Sequence, residues 1–179
     1  MASHGVVTNT TKKSLFTTPN PFERRFGYHR AVKRGPFIFV SGTTALKLSP
    51  GQLDTHSNAT IPEETALVDY PGDAFKQALL AMARAIDAVE RLGGVREDIV
   101  RVRMFVARPE DCDPVGAAFK QCFGTSEQEV STQGNEQDEH VLWKEDMIGT
   151  AATMVVVPGG FVDGGVLVEV EVDAVLVAF

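Results

Sequence analysis

A chain of 179 residues with 44% apolar and 23% charged side chains is sized for one domain with its own core, and its composition is not that of a disordered protein. Its net charge of −7, from 17 basic against 24 acidic residues, opposes a general nucleic-acid role, because phosphate binding needs a local excess of cations. Two cysteines exclude a disulfide framework and a four-thiolate zinc site, and no apolar run approaches the ~20 residues that cross a bilayer.

Residues 1–21 are rich in Ser, Thr and Asn, contain no acid and show no periodicity, which reads as a disordered N-terminal extension. No secretory signal is visible, so a cytoplasmic location is expected. The alternative, a mitochondrial presequence, lacks an arginine before Arg24 and has a weak apolar face. Across residues 1–34, seven basic side chains stand against Glu23 alone. A single folded domain is expected over residues 22–179.

Within it, Phe37-Ile38-Phe39-Val40 is a β-rich run fenced by Gly35-Pro36 and Ser41-Gly42. Residues 46–72, with Pro50, Gly51, Asn58, Pro62, Pro71 and Gly72, read as a long connection with room for a short strand. Asp73 caps a helix whose apolar stripe is Phe75, Leu79, Met82, Ile86 and Val89, stopped by Gly93-Gly94. The strand Ile99 to Ala107 alternates Val100, Val102, Met104 and Val106 with Arg101, Arg103 and Phe105. A second helix runs from Val115 to Phe123, started by Asp113-Pro114 and stopped by Gly124. An acidic loop insertion follows at about residues 125–149, carrying the apolar island Val141-Leu142-Trp143. Thr153 to Val157 and Val166 to Val177 are apolar strands. This order predicts an α+β fold, a mixed β-sheet with two helices packed on one face.

Several chemistries lack their residues. No glycine-rich phosphate motif is present, and Ser41 lacks the glycine spacing of a nucleophile elbow. His4, His29, His56 and His140 occur singly, so no metal site is expected, nor any other cofactor. Cys112 and Cys122 read as packing residues of the second helix. The last strand is more informative. Val168-Glu169-Val170-Glu171-Val172-Asp173 sets three carboxylates on one face, about 6–7 Å apart, where they raise one another's pKa. They are either a solvated outer face or a general acid/base in a cleft. In the second case Arg103, on the polar face of its own strand, would meet Glu169 or Glu171.

These segments in this order resemble the YjgF/Rid proteins, the reactive intermediate deaminases also labelled L-PSP endoribonucleases. The resemblance rests on Gly27-Tyr28-His29-Arg30-Ala31-Val32 with Gly35 to Gly42, the helix from Asp73 running into Asp98 to Val106, Val115 to Gly124, Thr150 to Val155, and Leu167-Val168-Glu169-Val170-Glu171. It implies a fold similar to Bacillus chorismate mutase, assembled as a homotrimer with a small-molecule cleft at each subunit boundary. Carried over by position, Glu169 is the glutamate that orients the attacking water, Tyr28 the pocket tyrosine, and Ser41 and Gly42 the polar wall, with Glu171 beside them. The substrate-gripping arginine of the deaminating members falls on Ala152, which supplies neither charge nor fork. Arg103, where those members tend to have a small residue, offers a replacement cation from another wall. Three functions follow as expectations: hydrolysis of an imine, enamine or related compound; non-catalytic binding of a small metabolite by a regulatory trimer; and, third, a ribonuclease.

Overall fold

The computed structural model describes residues 12–47, 68–124 and 149–177. In chain order its strands and α-helices are β1 (Ser14–Phe16), α1 (Pro21–Phe26), β2 (Ala31–Arg34), β3 (Phe37–Thr43), α2 (Ala74–Arg91), β4 (Ile99–Val106), α3 (Cys112–Phe123), β5 (Ala151–Val156) and β6 (Val168–Val175). The six strands form one sheet in the order β1-β2-β3-β6-β4-β5, antiparallel throughout except for the parallel pair β4 and β5. α2 and α3 pack on one side of it, so the α+β arrangement is the one expected.

Period-two alternation explains the two faces. β6 buries Val168, Val170, Val172 and Ala174 under the helices and turns Glu169, Glu171 and Asp173 to the helix-free side. β4 buries Val102, Met104 and Val106 in the same layer, with Arg103 and Phe105 pointing the other way. β2 and β3 form a hairpin whose turn is Gly35-Pro36, with Gly35 at φ 59, a left-handed conformation that a glycine adopts without steric cost.

α2 starts where the sequence says. The Asp73 side chain accepts the Lys76 backbone N–H at 2.9 Å, satisfying one orphan donor of the first turn. Its buried seam is not the expected stripe of large residues. Ala74, Ala78, Ala81, Ala85 and Ala88 line it together with Met82 and Val89, while Phe75, Leu79 and Ile86 are only partly buried along its flanks. Small side chains let the helix axis approach the sheet, and the large ones fill the margins.

Two further differences concern the N-terminal part. β1 lies within the stretch that composition reads as disordered extension, paired to β2 through Ser14↔Lys33, Leu15↔Val32 and Phe16↔Ala31. α1 was not anticipated either; Asn20 caps it and Gly27 ends it in a left-handed conformation. α3 begins three residues before Val115, at Cys112. The acidic insertion with Trp143, and most of the 46–72 connection, lie outside the described residues; Leu46 and Val68 form a single antiparallel bridge at its ends. Among the described residues no helix is long and apolar enough to cross a membrane.

Candidate functional site

The site is built around an irregularity in β3. Val40 pairs with Val172 and Thr43 with Val170, so β3 spends three steps where β6 spends two. The surplus falls at Ser41-Gly42, a β-bulge of the kind that re-aims side chains at functional edges. Ser41 is fixed twice: its N–H donates to the Arg30 carbonyl at 2.9 Å and its hydroxyl to the His29 carbonyl at 2.8 Å. Gly42 abuts the Glu169 carboxylate so closely that a Cβ at this position would collide with it. A side chain here would displace the Glu169 carboxylate from its present seat; the glycine serves close approach and not a left-handed turn, its φ not being positive.

Behind the bulge lies a buried ion pair that the sequence reading did not single out. Arg30 is 5% exposed and Glu23 4%, and Arg30 Nε donates to Glu23 Oε1 at 2.9 Å. The same guanidinium donates through Nη1 to the Gly42 carbonyl at 2.6 Å and to Thr43 Oγ1 at 2.9 Å. Glu23 accepts in turn from the Thr18 N–H at 2.7 Å and hydroxyl at 2.6 Å. Both charges therefore have multiple partners, as buried charges must. One signal was available: Glu23 is the lone acid of the basic first 34 residues.

Burial and the adjacent Glu171 carboxylate push the Glu169 carboxyl above its usual range, with Arg30 pulling it partly back. Burial raises the Tyr28 phenol too; Arg30 counters that by charge and hydrogen bond, while Glu23 and Glu169 add to it. The mutual influence places Tyr28, Arg30 and Glu169 in one electrostatic neighbourhood. A carboxylate that prefers its proton, beside a phenol, a hydroxyl and peptide groups, is equipped to hold a water and accept a proton from it.

The other sequence candidates divide. On the helix-free face Phe105 lies across from Glu169, Arg103 from Glu171 and Arg101 from Asp173. Arg103 reaches diagonally, pairing with Asp173 at 2.7 Å and more weakly with Glu171 at 3.4 Å. Its partners are thus Glu171 and Asp173 rather than Glu169. Ala152 stands apart within the protomer: it is exposed on the outer strand β5, opposite Val102, and so shares the helix side of the sheet. Cys112 and Cys122 are partly buried and pack against the core. Among the described residues no group of three or more His, Cys, Asp and Glu side chains is arranged to hold a metal ion.

Comparison with known proteins agrees with this architecture. Residues 19–176 match the family model described as Endoribonuclease L-PSP. An uncharacterised Streptomyces coelicolor protein is 30% identical over 155 residues, 87% of this chain and 86% of its own. Among solved structures, a YjgF/YER057c/UK114 family member from Mycobacterium tuberculosis superposes with a TM-score of 0.61 at 25% identity, covering 92% of this chain and all of the other. The E. coli YjgF gene product gives a TM-score of 0.59 at 22% identity, over 90% and 98% of the two chains. E. coli TdcF, solved with bound serine, gives 0.55 at 21%, over 84% and 88%. The family-model match over residues 19–176 and the 30% identical relative, with the solved structures sharing the fold, make the chain a member of the YjgF/Rid family.

Proposed function

We propose that the protein binds a small polar metabolite in a cleft between copies of itself, assembled as a homotrimer, and hydrolyses an imine, enamine or related compound there. The observation that carries this reading is the Glu169 carboxyl, raised in pKa, seated against Gly42 in the neighbourhood of Tyr28. In the ionised state Glu169 orients a water toward the carbon of the protonated imine and takes its proton as the C–O bond forms and the C=N electron pair returns to nitrogen. Glu169 then gives that proton to the amine of the tetrahedral adduct, the C–N bond breaks to release ammonia, and the hydroxyl loses its proton as the carbonyl forms. An enamine enters this path by tautomerising to the imine. Tyr28, Ser41 and the Gly42 backbone form the polar wall. Arg103 lines the far side, its charge shared with Asp173 and Glu171. The serine held by the TdcF structure is a ligand of the size and polarity this reading needs. Such a protein works in the cytoplasm without a cofactor.

Ala152 favours a second reading, a trimer that binds a metabolite without turning it over. Losing a desolvated charge partner typically costs about 2–5 kcal/mol of binding, enough to silence the family reaction on 2-imino acids. Ribonuclease action comes third, opposed by the net charge of −7. One experiment separates them: 2-aminoacrylate, generated enzymatically, is followed with wild type, Glu169→Ala and Ala152→Arg. Hydrolysis by wild type that disappears in Glu169→Ala supports the hydrolase. An inactive wild type with activity gained in Ala152→Arg supports the binding trimer. RNA cleavage that survives purification and requires Glu169 would overturn both.

A further inference from the structure

We propose that Arg30, locked by Glu23, is the positioning residue of the cleft, fixing the Ser41-Gly42 bulge against which the Glu169 carboxylate rests and being itself the buried cation of the site. The proposal deepens the reading above and rests on Glu169 as the working carboxylate.

Among the described residues Arg30 is the one lysine or arginine that is buried. Its fork does two jobs at once: Nε is held by Glu23 while Nη1 ties the Gly42 carbonyl and Thr43 hydroxyl. Thr43 Oγ1, having accepted from Arg30, donates onward to the Ser41 carbonyl at 2.8 Å. The bulge is thus clasped from behind at every residue, and Gly42 presents its bare Cα to Glu169. A lysine would carry the charge but could not span Glu23 and Gly42 together, because a single ammonium lacks the planar fork. The pair is also placed to set the charge balance of the cleft. The groups facing Glu169 are Glu171 on its own strand, Arg103 on the far side of Glu171 on β4, and Tyr28 and Arg30 from the segment before β2; β3 contributes only the uncharged Ser41 and Gly42. Arg30 opposes the acids at Glu169, and at Tyr28 the Arg30 and Glu23 charges act in opposite directions.

The two members of the pair therefore have opposite signs of effect, which a merely structural role would not produce. The test is a carbon-13 NMR titration of the Glu169 carboxyl in the assembled, ligand-free protein, with the resonance assigned by Glu169→Gln. Arg30→Gln is expected to raise the Glu169 midpoint by about half a pH unit or more, Glu23→Gln to lower it, and Arg30→Lys, which keeps the charge but not the fork, to raise it by less than Arg30→Gln does. Tyr28 ionisation, followed by its ultraviolet absorbance difference, is expected to move in the same directions. Should Arg30→Gln fail to fold around an unpaired Glu23, the Glu23→Gln/Arg30→Gln double variant removes both charges and is expected to raise the midpoint. Midpoints that shift the same way in Arg30→Gln and Glu23→Gln, or that ignore both, would overturn the proposal. Because the titration needs no turnover, expected shifts alongside undiminished hydrolysis in Glu169→Ala would remove Glu169 as the working carboxylate of the reading above and leave the Arg30 coupling standing.

Discussion

At Glu169 the chain tolerates a carboxyl in surroundings that disfavour its charge, and that has a measurable consequence for stability. The folded pKa is raised above the ordinary 4.5 by burial and by Glu171. Its contribution to stability is then fully present below the unfolded pKa and is lost as pH rises through the higher folded value. Glu169→Gln, which mimics the protonated form at all pH values, is expected to match wild type at about pH 4 and to exceed it in stability at about pH 7.5. Urea denaturation midpoints of both proteins at the two pH values check this; a variant less stable than wild type at neutral pH would contradict it. A carboxyl whose surroundings disfavour its charge is the kind of group the proposed chemistry calls for. The neighbouring Arg30 and Glu23 illustrate what composition hides. In the sequence they are members of a basic stretch, and only the fold shows that they bury each other.

Among the elements, α2 and the two central strands β4 and β6 carry the core. Met82 is fully buried in the helix seam, between alanines too small to close over a void. Met82→Ala is expected to cost about 2–5 kcal/mol, read as a fall in the denaturation midpoint with the slope unchanged. These elements are also the ones legible in the sequence, for a physical reason. Eight residues of strict alternation in β6, or eighteen residues between an Asp cap and a Gly-Gly stop in α2, repeat their signal often enough to be seen. β1, with three residues, and α1, with six, do not complete a pattern. The seam of α2 escapes the apolar pattern because hydrophobicity ranks Phe75 and Leu79 above Ala78 and Ala85, whereas close packing ranks them by size. For the site, Tyr28, Ser41, Gly42 and Glu169 were visible as a block. The bulge that joins them, and the diagonal from Arg103 to Asp173, depend on strand register, which no local pattern reveals.

For the whole molecule the helix-free side of the sheet is the face on which the proposed self-association is to be tested. Phe37 and Phe39 stack on one another there at 6.4 Å while remaining 48% and 50% exposed, beside the charged row of β6. An apolar pair rimmed by charge is the composition of an interface. Sedimentation equilibrium is expected to return three times the 19.4-kDa chain mass, and Phe39→Glu to reduce it toward that of the single chain, with loss of ligand binding. Wild-type protein that sediments as a monomer while still binding its ligand would contradict the shared cleft.

The two outer strands of the sheet carry unequal hazards. β1 is three residues long and follows Lys12 and Lys13, too brief and too charged to template another chain. β5 is six uncharged residues, Ala151 to Val156, without proline, and among the described residues its outer rim has no partner strand. An uncharged rim of this length is a template on which a further strand can add, so the β5 side of the sheet, and not the β1 side, is where unwanted strand pairing would begin.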